Sequence, residues 1–239
     1  MARISKKAVR GALAVVILGV GYGWALLLAH AATPPQIVIS WRADTYTPPG
    51  YAGKALPTSN SVIAASLDIL ANNKGTDLSG QLIYWYVNNR LAGSGKGRTS
   101  ITFRAPSAAP DTLALRVEVP GYPGGAIIKS INIPVVVPES VIVAPLPLLR
   151  FTPPSTTLTG APYFFNVRDP LLLKFEWGAN YTALPAGQTD NAPKGDPRVL
   201  TLNLNPDAPK GAPVRVTLGI TNPLREAEGA QSFITLTTQ

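Results

Sequence analysis

The sequence predicts an all-β fold, with two tandem β-sandwich modules behind a single N-terminal transmembrane helix. Three observations carry that expectation. Apolar residues alternate with polar ones in short stretches broken every eight to fifteen residues by Pro, Gly, Asn or Asp, which is the period of strands with one buried face. Twenty-four Pro and twenty-one Gly in 239 residues are too many for a helical bundle, because both interrupt helices. The two halves also repeat one another at a spacing of about 91 to 101 residues. With 46% apolar and 14% charged residues, the chain is too apolar for disorder.

The elements follow in order. Arg3, Lys6, Lys7 and Arg10 form a basic tail over residues 1–10. An uncharged run from Gly11 to Ala29 follows, long enough at about 1.5 Å per residue to cross a bilayer core as a helix. The positive-inside bias places the tail in the cytoplasm, so residues 11–32 read as a transmembrane helix or signal-anchor that contacts the lipid bilayer and carries the rest of the chain out. The competing reading is a secreted protein cleaved near Ala31, since Ala29-His30-Ala31 supplies a small-x-small site. Both place the bulk of the chain on the periplasmic or extracellular side.

Strand patterns then run from Gln36 to Trp41, Ser61 to Leu70, Gln81 to Asn88, Thr99 to Ala105, Thr112 to Val119 and Ala126 to Val137. A second set covers Val141 to Phe151, Tyr163 to Val167, Leu171 to Gly178, Val199 to Asn205, Pro213 to Thr221 and Gln231 to Thr238. Leu82, Tyr84 and Tyr86 match Leu173, Phe175 and Trp177, and Leu113, Leu115, Val117 and Val119 match Val214, Val216, Leu218 and Ile220. The repeat gives one module over 33–138 and a second over 139–239, each of immunoglobulin-like size. Tyr84, Tyr86 and Phe103 are expected to anchor the first core, and Phe165, Phe175 and Trp177 the second. Trp85 lies out of phase with its neighbours and is expected to point away from their face.

Leu82-Ile83-Tyr84-Trp85-Tyr86 with Gly93-Ser94-Gly95-Lys96-Gly97, and Leu173-Lys174-Phe175-Glu176-Trp177-Gly178, resemble the immunoglobulin-like and polycystic-kidney-disease-type (PKD) repeats of membrane-anchored bacterial surface proteins. Trp177-Gly178-Ala179-Asn180 departs from the Trp-Asp-Phe-Gly-Asp-Gly signature of PKD repeats. The resemblance implies a sandwich fold and brings no catalytic residues.

Chemistry-bearing motifs are sparse. No Cys is present, which removes disulfides, thiolate metal sites and cysteine nucleophiles. The only histidine, His30, lies in the leader. Gly95-Lys96 fails the phosphate-loop pattern, because Arg90 and Gly97 stand where Gly and Ser or Thr are required. The Gly93–Gly97 stretch reads instead as a flexible connection. Asp68 with Asp77, and Asp190 with Asp196, lack calcium-ligand spacing. Glu226 and Glu228 read as a solvated turn. No cofactor or metal is expected, and no catalytic residue.

Of the +8 formal charge, four belong to the basic tail, which leaves no case for nucleic acid as a partner. Arg90, Lys96, Arg98 and Arg104 form the densest basic group beyond the leader and are candidates for contact with an anionic surface polymer or an envelope or surface protein. Trp41, Tyr46 and Tyr51 flank Pro48-Pro49 and form either an aromatic docking edge or a segment packed along the sandwich. The function expected is a membrane-anchored extracytoplasmic scaffold or interaction (adhesion-type) protein without catalytic activity. The alternatives are an accessory subunit of an envelope secretion or pilus assembly, and a carboxylate-dependent envelope enzyme.

Overall fold

The structure, a computed structural model, describes residues 34–181, 196–203 and 207–239. The basic tail and the apolar segment of residues 11–32 lie outside these residues. Among the described residues, no helix is long and apolar enough to cross a membrane.

In the N-terminal half, the alternating stretches form β1 (Gln36–Ala43), β2 (Val62–Ala71), β3 (Lys74–Gly75), β4 (Leu82–Val87), β5 (Arg90–Lys96), β6 (Ser100–Arg104), β7 (Thr112–Val119) and β8 (Ile127–Pro134). One sheet has β2 at its centre, paired antiparallel with β1 on one side and with β6 and the short β3 on the other. The second sheet has the order β5-β4-β7-β8. Asn72-Asn73 and Asn88-Asn89 make the two-residue turns after β2 and β4, all four with positive φ. Asn tolerates that left-handed backbone, and the resulting turn matches the twist of paired strands. Period two then sorts the side chains: Ile63, Ala65, Leu67 and Ile69 face Leu113, Leu115, Val117 and Val119 across one buried cluster. Each fully buried Val, Leu or Ile among them contributes about 1.5–3 kcal/mol.

Trp85 belongs to this cluster and is fully buried. The expected phase of β4 is therefore wrong by one residue: Ile83, Trp85 and Val87 point inward, while Tyr84 and Tyr86 occupy the outer face, with the Arg116 guanidinium 4.3 Å from the Tyr86 ring. The Gly-rich connection is also a strand. Gly95 and Gly93 stand opposite Ile83 and Trp85, and the missing side chain of Gly93 leaves room for Arg98, whose guanidinium carbon would lie 2.9 Å from a Cβ there. The Trp85 indole N–H donates to the Arg98 carbonyl at 2.8 Å, so the residue that crosses Gly93 also satisfies the buried indole.

The C-terminal half contains β9 (Glu139–Val143), β10 (Arg150–Phe151), β11 (Ser155–Tyr163), β12 (Lys174–Tyr181), β13 (Val199–Asn203), β14 (Pro213–Asn222) and β15 (Arg225–Thr238). Its sheets are β9-β11-β13 and β10-β15-β14-β12, with β10 parallel to β15. Leu158, Leu200 and Leu202 pack against Val214, Val216, Leu218, Ile220 and Leu236. Phe165 is fully buried there, and Phe175 and Trp177 pack half-buried against the same cluster.

Sequence pattern missed β11 because Gly160 and Pro162 interrupt it. Gly160 is required by close approach: a Cβ there would lie 2.8 Å from the Leu218 Cδ2 atom and 3.1 Å from the Trp177 ring. The strand expected at Tyr163 to Val167 is instead an irregular segment whose Phe165 makes an isolated bridge to Tyr46. Trp85 stands opposite Val117 and Trp177 opposite Leu218, and each indole donates to a carbonyl further along the chain. The two halves thus use one Trp in the same way, at a spacing one residue longer than the aromatic pattern implied.

Candidate interaction surface

The segment after β1 leaves its own sheet. Trp41, still in β1, packs on the first cluster, and the Lys54 ammonium sits 3.6 Å from its ring centroid, where burial lowers the lysine pKa from its ordinary value. Tyr46 packs on the second cluster and exchanges backbone hydrogen bonds with Phe165 and Phe164. Tyr51 lies edge-on to Tyr163 and Phe164, at centroid distances of 5.6 and 5.9 Å. The stretch Trp41 to Tyr51 is therefore a strap between the two halves. Its aromatic residues are spent largely on packing within the chain.

A polar clamp lies beside the strap. Asn166 donates its backbone N–H to Glu228, and its side-chain amide lies 3.0 Å from the Thr58 hydroxyl, 3.1 Å from the Ser59 carbonyl and 3.0 Å from Glu228 Oε1. Asn222 donates to the other Glu228 oxygen at 2.7 Å. Thr58 is held in turn by Ser61, which accepts the Thr58 N–H and donates to its carbonyl. Glu228 is only 7% exposed, which corrects its reading as part of a solvated turn. A buried carboxylate is tolerable when each oxygen accepts N–H bonds, and this one does.

The four basic candidates do not converge. Arg90 lies at the tip of the β4–β5 hairpin and Lys96 at the far end of β5, about 20 Å away at strand rise. Arg98 folds over the β5 glycines and donates to the Ser94 carbonyl at 3.3 Å. Arg104 ends β6 in the other sheet and faces the junction.

There Arg104 meets a second-half residue: its Nη1 and that of Arg225 both donate to the Asn60 carbonyl, at 3.2 and 3.4 Å. Arg42 and Arg168 line one open groove of about 320 Å³ with Asp44, Val62, Ala64 and Thr102. Arg168 reaches Asp44 at 3.4 Å, but side-chain exposures of 88% and 52% make that ion pair weak. Around Asn60, Val136, Pro138, Arg225 and Glu228 the junction opens a second cleft of about 240 Å³. Arg42, Arg168, Arg225 and the Asn166–Glu228 clamp carried no local sequence signal. Asn166 lies 62 residues from Glu228 and 108 from Thr58, and only the fold brings them together.

Asp77 accepts the Ser79 N–H and hydroxyl, which lowers its carboxyl pKa, and the hydrogen bond from Arg198 lowers that of Asp196. Among the described residues, no group of three or more His, Asp and Glu could hold a metal ion. Asp190 lies outside the described residues.

The described residues form an all-β protein of two-layer sandwiches that meet at a polar junction. No family model and no curated protein matches the chain. Among solved structures, it is similar to the three N-terminal domains of the bacteriophage RB49 highly immunogenic outer capsid protein, with 7% identity over 85% of this chain and 59% of that one and a TM-score of 0.39. It is similar also to an ICAM-5 ectodomain fragment, at 11% identity over 85% and 53% with a TM-score of 0.27. The Yersinia pseudotuberculosis adhesin InvE matches at 15% identity over 84% and 58%, with a TM-score of 0.26. The chain spans between 53% and 59% of the length of these three proteins.

Proposed function

We propose that this chain is a non-catalytic interaction protein, a scaffold or adhesion-type surface built from two immunoglobulin-like sandwiches and carried outside the cytoplasm by residues 11–32. The interleaved strand orders support the immunoglobulin-like part. In the first half β6 crosses back to join β1, β2 and β3 in one sheet while β5-β4-β7-β8 forms the other, and in the second half the non-consecutive β9, β11 and β13 form one sheet and β10-β15-β14-β12 the other. The observation that carries the functional reading is the Asn166 clamp with the strap from Trp41 to Tyr51. Together they hold one sandwich against the other, so residues from both halves form a single preorganised face, which lowers the ordering cost of binding. Such a face recognises a partner without titratable catalytic groups.

Cross-linking in intact cells, followed by mild detergent extraction, tests the reading. The expected result is a stoichiometric partner captured with the intact chain in the membrane fraction. Recovery of the intact chain dissolved in the cell interior without detergent, with no cross-linked partner, overturns it.

A further inference from the structure

Resting on that reading of the molecule as an interaction protein, we propose that the groove lined by Arg42 and Arg168, with Arg104 and Arg225 at its junction end, binds an acidic polysaccharide. The two halves contribute equally: Arg42 and Arg104 come from the first, Arg168 and Arg225 from the second. The strand register sets their placement. Arg42 stands opposite Ala64, Ala64 opposite Thr102, and Val62 opposite Arg104 in the adjoining row. Among the described residues that line the groove Asp44 is the one carboxylate, and it engages Arg168 only through an exposed contact.

Guanidinium forks recognise carboxylate and sulfate groups through paired N–H donors, so this arrangement selects an anionic ligand with repeated charges. The floor decides between ligand classes. It consists of Ala64, Thr102 and Val62, continued by the row Ser40, Ser66 and Ser100, which gives a shallow, hydroxyl-bearing face. Protein partners are anchored by large aromatic or aliphatic side chains in desolvated pockets, whereas this groove is open and floored by small side chains, and the cleft of Val136, Val137 and Pro138 shares no lining residue with it. A hydroxyl-rich chain carrying acidic groups can lie along it, with its charges on the arginines and its hydroxyls on Ser and Thr.

The test uses the full chain in neutral detergent and measures binding to polygalacturonate, dextran sulfate, neutral dextran and poly-L-glutamate. Binding to the two acidic polysaccharides is expected, weakening as salt rises from about 50 to about 300 mM, with none to dextran. Arg42→Glu with Arg168→Glu, and separately Arg104→Glu with Arg225→Glu, are expected to weaken binding by about tenfold or more, whereas Arg90→Glu with Lys96→Glu leaves it unchanged. Glutamine at the same positions provides a milder pair should a charge reversal impair folding. The proposal is overturned if the junction variants bind as the parent does, if the Arg90 and Lys96 pair loses as much, or if poly-L-glutamate binds as tightly as the polysaccharides. Failure here with a cross-linked protein partner retained removes the polysaccharide and leaves the interaction reading standing.

Discussion

Two tryptophans show how one residue type takes its weight from its surroundings. Trp85 is sealed between the sheets and its N–H is satisfied at 2.8 Å, whereas Trp177 is only half-buried under the turn at Pro197. Trp85→Ala is expected to cost about 3–5 kcal/mol and Trp177→Ala about half as much. Urea unfolding followed by far-ultraviolet circular dichroism checks this, and an equal or larger loss at Trp177 contradicts it. The turn over Trp177 is held by Asp196 and Arg198, paired at 2.7 Å. Because Arg198 lowers the folded-state pKa of Asp196, the pair stabilises the fold above the ordinary carboxylate range and ceases to do so as pH falls through the lowered value. With both side chains about a third exposed, the contribution is at most about 1 kcal/mol. Asp196→Asn should therefore lie below the parent by a constant margin above about pH 5, with the margin closing below about pH 4. Denaturant midpoints across that range would reveal a margin that fails to close.

Among the elements, β5 and β11 read poorly from sequence for a shared reason. Glycine carries no periodic signal, yet each strand uses glycine where another side chain crosses it closely: Arg98 over Gly93, and Leu218 with Trp177 against Gly160. Gly160→Ala should cost about 1–3 kcal/mol by overpacking. Gly219→Ala, whose Cβ meets nothing closer than 3.8 Å, should stay within about 0.5 kcal/mol of the parent. Comparing the thermal midpoints of these two variants decides the matter, since similar shifts would show that Gly160 is not tightly packed. In β4 the difference has another origin. The aromatic pair Tyr84 and Tyr86 dominates the local pattern, and a one-residue change of phase exchanges the two faces of a strand. The aliphatic neighbours Ile83 and Val87 held the correct phase.

For the molecule as a whole, the junction decides whether the two sandwiches act as one face. Glu228→Ala leaves the Asn166 backbone N–H and the Asn222 side-chain amide without their carboxylate acceptor, at a cost of about 1–3 kcal/mol. Hydrogen exchange should then quicken in the segments around Thr58 and Asn166 while the β7 core keeps its protection. Unchanged protection at both segments would mean that the clamp does not hold the halves together. Glu228 had read as one member of a solvated acidic turn, since nothing near it in sequence announces a partner 62 residues away. Arg104 was legible as a basic residue, but its companions were not. Sequence proximity groups it with Arg90, Lys96 and Arg98, whereas the fold places it beside Arg225 at the Asn60 carbonyl.

The alternation of apolar residues determined the all-β class, the sandwich layers and most strand positions, because a period of two is written locally and survives without knowledge of the partner strand. The absence of cysteine and the single histidine at position 30 are likewise fixed by the sequence and leave thiol chemistry out of the whole chain. What tertiary structure alone decided is the junction: the strap carrying Tyr46 to Phe165, the burial of Glu228, and the meeting of arginines from both halves. These depend on contacts between residues roughly 60 to 165 positions apart, and such contacts form only when both sandwiches have closed and their ends meet.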